Sequence, residues 1–233
     1  MRLLVLLLAV LATACATKMG RDGQRESVVD AKYLMKTEID RVADTDRAEV
    51  VAGLMLIADK LYRRNPREWK KSSDVPNREA ALARLQQRTP PAELQGAREG
   101  QAASLAFRED YAGDRVAALT FGLLTMVDAA FEHKEEFFIL DGLNEQKLAN
   151  CARNMEIAVW KLASAHNGAG EPFLLSNELD AGNRNLSFER EFGRIIGLLD
   201  FMARIVADRN GRSLSRFTQS VATAVFLPVG LLK

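Results

Sequence analysis

Residues 116–127 read VAALTFGLLTMV, without one charged side chain, and this run constrains the fold more than any other stretch. About twelve residues are too few for a membrane-spanning helix, which needs about twenty, so the run predicts a helix buried inside a protein core. Asp114 stands where it can cap that helix. Gly122 would let a neighbouring helix approach closely. Asp128 closes the run, and because a lone buried carboxylate is costly it either faces out or has a partner such as Arg or Lys.

The clearest helical period lies at residues 144–166, where Leu148, Cys151, Met155, Val159 and Leu162 recur at steps of three and four. Cys151 falls on that apolar stripe and reads as a small buried hydrophobe rather than a nucleophile. Asn167-Gly168 supplies a stop. A second amphipathic helix follows Ser187 as N-cap, with Phe188, Phe192, Ile195, Leu199 and Met202 or Ile205 as its buried stripe and Asn210-Gly211 at its end. Earlier in the chain, Ser27 can cap a first helix carrying Val28, Val29, Ala31, Leu34, Met35 and Ile39. Asp46 and Glu49 have the spacing of a capping box for the next, whose face is Val50, Leu54, Ile57 and Leu61. Asn65-Pro66 ends that helix. A short helix over residues 78–87 closes at Thr89-Pro90-Pro91, and a last one starts near Ser213 or Ser215 with Phe217 and Val221.

Between them, residues 93–111 are Ala- and Gln-rich and only weakly helical, interrupted by Gly96 and Gly100. They mark a mobile segment or a boundary between sub-bundles near 89–113. Residues 168–185 form a loop whose Phe173-Leu174-Leu175 tucks back. Residues 221–232 (VATAVFLPVGLL) are apolar but broken by Pro228 and Gly230, and are expected to pack across the bundle as a closing segment. No stretch alternates as a strand would. The expected class is therefore an all-α, multi-helix bundle of about seven or eight helices over residues 27–233.

The N-terminus has a different character. Met1-Arg2 is a short positive start, residues 3–11 are uninterrupted apolar, and Ala12-Thr13-Ala14 are small. Leu11-Ala12-Thr13-Ala14-Cys15 resembles the lipobox of bacterial lipoproteins. The resemblance covers this stretch alone. It implies that residues 1–14 are a cleaved signal, that Cys15 is lipidated, and that residues 15–26 form a flexible tether. Several acyl chains would make attachment to the membrane effectively permanent, at ~0.8 kcal/mol per buried methylene. Ala16, rather than Asp, after the cysteine implies the periplasmic face of the outer membrane, for a Gram-negative source.

Loss of the signal would leave about 219 residues, one moderately large domain or two small ones. A hydrophobic content of 48% and 27% charge are enough for a substantial core. Lys and Arg total 32 against 31 Asp and Glu, so no global field draws nucleic acid, and a nucleic-acid partner is not expected. With Cys15 lipidated, Cys151 is the one remaining thiol and no intramolecular disulfide can form.

Catalytic constellations are not evident. HExxH, CxxC, GxSxG, Walker A and GxGxxG do not occur, and Ala130 and Ala163 stand three residues before the two histidines, where a di-iron bundle needs Glu. Residues 132–136 (EHKEE) bring His133 and Glu136 close enough on a helix to share a proton or metal, although a charge run at a helix end is usually a solvated face. His166 suits a helix C-terminus. No catalytic residue, metal site or cofactor is assigned. Asn150, Arg153, Asn154 and Lys161 form a candidate polar groove opposite the stripe of their helix, against the plainer reading of a solvated face. Arg63, Arg64, Arg67, Trp69, Lys70 and Lys71 form a candidate contact with anionic head groups, against that of a solvated turn with Trp69 at the core edge. The expectation is a non-enzymatic, lipid-anchored envelope module that binds a protein or stabilises an assembly. The competing reading is a carrier of an apolar ligand in a cavity lined by residues such as Phe121, Leu124, Phe192 and Leu199. An enzyme using Asn150, Arg153 and Glu156 in a polar cleft ranks last.

Overall fold

The structure, a computed structural model, describes residues 17–19, 25–27, 36–177, 185–211 and 225–232. Its regular structure is helical apart from one antiparallel pairing of two three-residue strands, β1 (Thr17–Met19) and β2 (Arg25–Ser27). The chain divides into two compact units, Met1–Asp44 with Glu136–Asp141, and Thr45–Glu135 with Gly142–Lys233.

Six α-helices lie among the described residues, fewer than the seven or eight expected: α1 (Glu38–Arg64), α2 (Arg78–Gln86), α3 (Glu99–Leu105), α4 (Arg115–Ala130), α5 (Glu145–Ser164) and α6 (Ser187–Arg209). Ser27 ends a strand, and residues 28–35, expected to carry the first helix after it, lie outside those described. The expected second helix is part of a longer one, since α1 starts eight residues before Asp46. Thr37 and Asp40 cap it reciprocally, with the Asp40 N–H donating to Thr37 Oγ1 at 3.2 Å and the Thr37 N–H to Asp40 Oδ2 at 2.7 Å. Asp46 therefore sits inside α1, not at its start. The Cys15 signal region, residues 28–35 and the helix expected near 213 lie outside the described residues.

In the first unit, the 136–141 segment is tied to the beginning of α1. The Phe137 N–H donates to Asp44 Oδ1 at 2.8 Å, and Lys36 pairs with Asp44 and lies 4.9 Å over the Phe138 ring. Ile139 and Leu140 are exposed at its tip.

The second unit is organised around α4. Every residue of α4 except Arg115 and Asp128 is buried, as its uncharged run requires. Asp114 caps it by accepting from the Ala117 N–H at 2.9 Å. Gly122 does admit a close neighbour: a Cβ there would lie 2.5 Å from the Ala103 nitrogen of α3. On α5, Asn144 caps through Oδ1, which accepts from the Gln146 and Lys147 N–H groups. Leu148, Cys151 and Met155 are fully buried. Phe188, Phe192, Ile195, Leu199 and Met202 form the buried stripe of α6, as the periodicity predicts. Ser187 is the first residue of that helix rather than its cap, and Asn185 Oδ1 accepts its N–H at 3.0 Å. Gly211, at φ +63°, terminates the helix in the left-handed region that glycine tolerates best. Leu174 of the expected plug is buried while Leu175 is half exposed.

Candidate functional site

Asn150 and Asn154 are one helical turn apart on α5, so their side chains leave the helix on the same side. Both are buried, Asn154 completely. What they meet is the chain's own segment 225–232. Asn154 Nδ2 donates to the Leu227 carbonyl at 2.9 Å, and its Oδ1 accepts from the Leu227 N–H at 2.7 Å. A carboxamide presents one donor and one acceptor side by side, which matches the donor and acceptor of a single main-chain residue. Asn150 extends the pattern, its Nδ2 donating to the Pro228 carbonyl at 3.0 Å while its Oδ1 accepts from Gln146 at 2.8 Å. From α3, Glu99 Oε2 accepts from the Gly230 N–H at 3.1 Å. Val229 is fully buried between these contacts, whereas Val225 and Leu231 are 70% and 88% exposed. The segment thus lies across the bundle as expected.

The other two residues of the expected polar groove are directed elsewhere. Arg153 pairs with Asp200 of α6 at 2.6 Å and with Glu156 at 3.2 Å. Lys161 lies 5.8 Å over the Phe107 ring. Burial raises the Glu156 carboxyl above its ordinary range, opposed by Arg153 and reinforced by Asp200. Asn150, Arg153 and Glu156 therefore do not converge on one cleft. The sequence places Asn150 and Asn154 on a polar face but carries no sign of what covers it, because the partner lies more than seventy residues away.

The basic stretch at 63–71 forms a short 3-10 turn, Trp69–Lys71, after α1. Arg63 pairs with Asp59 at 2.8 Å, Lys71 with Glu68 at 2.7 Å, and Lys70 lies 5.3 Å over the Trp69 ring. Glu68 also accepts the Arg115 N–H at 2.8 Å, which ties the turn to the start of α4. Arg63, Arg67 and Lys70 are exposed, and Trp69 is half-buried.

At the other end of α4, Asp128 is the centre of a charge cluster. Its Oδ1 accepts from Arg88 at 2.6 Å, its Oδ2 contacts His133 Nδ1 at 2.6 Å, and Arg47 lies 3.8 Å away. Glu135 lies 3.6 Å from Arg47 and 3.8 Å from Arg88. Arg88 and His133, two of its partners, both have positive φ, so two non-glycine residues in the left-handed region meet at this carboxylate; Glu132, also at positive φ, pairs instead with Lys147 at 2.8 Å. The Asp128 partners expected from charge alone are present; Arg88, forty residues upstream in a helix-terminating stretch, had no sequence signal.

A polar surface pocket of about 410 Å³ lies between the 93–97 loop and the chain after α3, with Glu93, Gln101, Arg108 and Tyr111 among its lining residues. The Tyr111 hydroxyl is buried without a hydrogen-bond partner, and burial pushes it above the ordinary phenol range. Phe121, Leu124, Phe192 and Leu199, the proposed walls of an apolar cavity, do not line this pocket and are each at most 1% exposed. Among the described residues no three His, Cys, Asp or Glu side chains are grouped to hold a metal ion, and no helix is long and apolar enough to cross a membrane. The chain matches no known protein family, and no curated protein or solved structure is recognisably similar to it.

Proposed function

We propose that this protein is a lipid-anchored envelope module, tethered through Cys15 to the periplasmic face of the outer membrane, whose helical unit binds another protein. The observation that carries the reading is the groove of Asn150, Asn154 and Glu99. It engages the 225–232 segment through main-chain N–H and C=O groups, the chemistry by which proteins recognise peptides. The alternative, a carrier of an apolar ligand, needs room around Phe121, Leu124, Phe192 and Leu199, and those side chains are packed with almost no exposed surface.

Crosslinking in intact envelopes followed by purification and intact-mass analysis tests the reading. A stoichiometric protein adduct is expected. A co-purifying lipid or small molecule with no protein adduct would replace it with the carrier. The anchor is tested separately by Cys15→Ser, which should release the protein from membranes; a variant still membrane-bound and unchanged in mass would exclude lipidation.

A further inference from the structure

α6 turns one face to solvent. The helix is fastened to α1 by Arg194 and Glu49 at 2.8 Å and to α5 by Asp200 and Arg153 at 2.6 Å. On the face between those two pairs, Arg190, Gly193, Gly197, Phe201, Arg204 and Asp208 recur at steps of three and four. All six are exposed, Phe201 by 58%. The two glycines serve no purpose within the single chain. Both sit inside a helix, which glycine weakens, and neither has the positive φ that would call for it. A Cβ at either would meet nothing within 4 Å, so no neighbour in the chain needs the space. They leave a shallow trough beside an exposed aromatic ring.

This face is complementary to itself. Phe201 and Gly197 stand two residues either side of Leu199, and Asp208 and Arg190 stand nine either side. A second α6 laid antiparallel, with a twofold axis at the level of Leu199, therefore sets each Phe201 ring over Gly197 of the partner subunit. The same register sets each Asp208 carboxylate beside Arg190 of the partner subunit. Neither Asp208 nor Arg190 makes an ion pair among the described residues. Arg204 comes opposite Arg194, whose charge Glu49 and Glu191 already balance at 2.8 and 3.6 Å. We propose that two copies of this protein associate through the solvent face of α6 in this antiparallel register. The ring entering the glycine trough supplies the burial, while the exposed charge pairs add little energy and fix the register. The proposal goes beyond the protein-binding reading, naming a second copy and side chains other than Asn150 and Asn154. Envelope crosslinking looks for any protein and the test below for this pairing only, so the two fail separately.

The test is sedimentation of the full-length chain, whose mass should rise from monomer towards dimer with concentration. Gly197→Gln adds a side chain where the single chain has room for it. Its thermal midpoint should hold or rise, because glutamine is the better helix former, while the rise in mass should disappear. Asp208→Arg brings two arginines together at each end of the pairing and should weaken the dimer about fivefold or more. Arg190→Asp added to the same chain reverses the pair and should restore the affinity. A mass that stays monomeric at every concentration overturns the proposal. So does a dimer that survives Gly197→Gln, or a loss in Asp208→Arg that Arg190→Asp fails to rescue.

Discussion

Tyr62 on α1 donates its buried hydroxyl to Oδ2 of Asp114 at 2.8 Å, across 52 residues of chain, while the other oxygen of Asp114 caps α4. One carboxylate thus ends a helix and fastens it to another. Burial raises Asp114 to about 6, with the Ala117 N–H and the Tyr62 hydroxyl pulling the other way. Tyr62→Phe should cost about 2 kcal/mol, the scale of a lost hydrogen bond to a charged acceptor left buried. Urea denaturation should show a lower midpoint with unchanged slope. A midpoint equal to that of the parent would mean the bond contributes nothing net.

Asp46 shapes the pH dependence. It is 95% buried on the inner face of α1, its Oδ2 has no hydrogen-bond partner, and burial raises it to about 7. For Asp46 and Asp114 alike the folded-state value lies above the ordinary 3.8, so the folded state binds protons more tightly than the unfolded chain. Their contribution is complete below about pH 4 and is lost as pH rises through about 6 to 7. Asp46→Asn keeps the shape without the charge. It should raise stability at pH 8 by roughly 1–2 kcal/mol and flatten the decline between pH 5 and 8. An unaltered pH profile of thermal midpoints would refute the assignment.

Two glycines should respond to alanine in opposite directions. A Cβ on Gly122 meets main-chain atoms of α3, 2.5 Å from Ala103 N and 2.6 Å from Glu99 O, which cannot rotate away. Gly122→Ala should destabilise by about 1–3 kcal/mol through overpacking, in spite of alanine's better helix propensity. Gly193 on α6 has nothing within 4 Å of its Cβ position. Gly193→Ala should stabilise by about 0.5–1 kcal/mol. Thermal melts of the two variants moving in the same direction would contradict this packing.

Asp128→Ala should be among the more damaging polar substitutions. It removes the carboxylate at 2.6 Å from Arg88 and leaves the buried Arg47 with Glu135 as its remaining acidic neighbour, 3.6 Å away and largely exposed. Loss of one partner from a half-buried charge pair costs roughly 2–4 kcal/mol. Arg88→Met should be milder, because it removes one of several cations around Asp128. Equal losses in the two variants would show that the cluster acts only through that pair.

Much of the helical frame was legible in the chain itself. The uncharged run of α4, the stripe of α6, the stripe of α5 apart from the half-buried Val159, the cap at Asp114 and the burial of Cys151 all follow from periods and signals confined to a few turns. The start of α1 was misread because Asp46 and Glu49 copy a capping box. Thr37 and Asp40, nine and six residues earlier, provide the cap that the backbone uses.

The candidate site was only half visible. Its sequence signature reached as far as a polar face carrying Asn150, Arg153, Asn154 and Lys161, of which Arg153 pairs with Asp200 and Lys161 lies over the Phe107 ring. Helical geometry dictates which residues share a face, because that depends on neighbours three and four positions away. It cannot say which distant main chain will satisfy a carboxamide, or that Arg88 will reach Asp128. Those pairings span forty to seventy-eight residues, and they were decided by how the helices pack and where the connecting chain passes. Periodicity alone specified the apolar faces; tertiary packing chose the partners of the polar ones, since a buried polar group must be satisfied by whatever the fold brings to it.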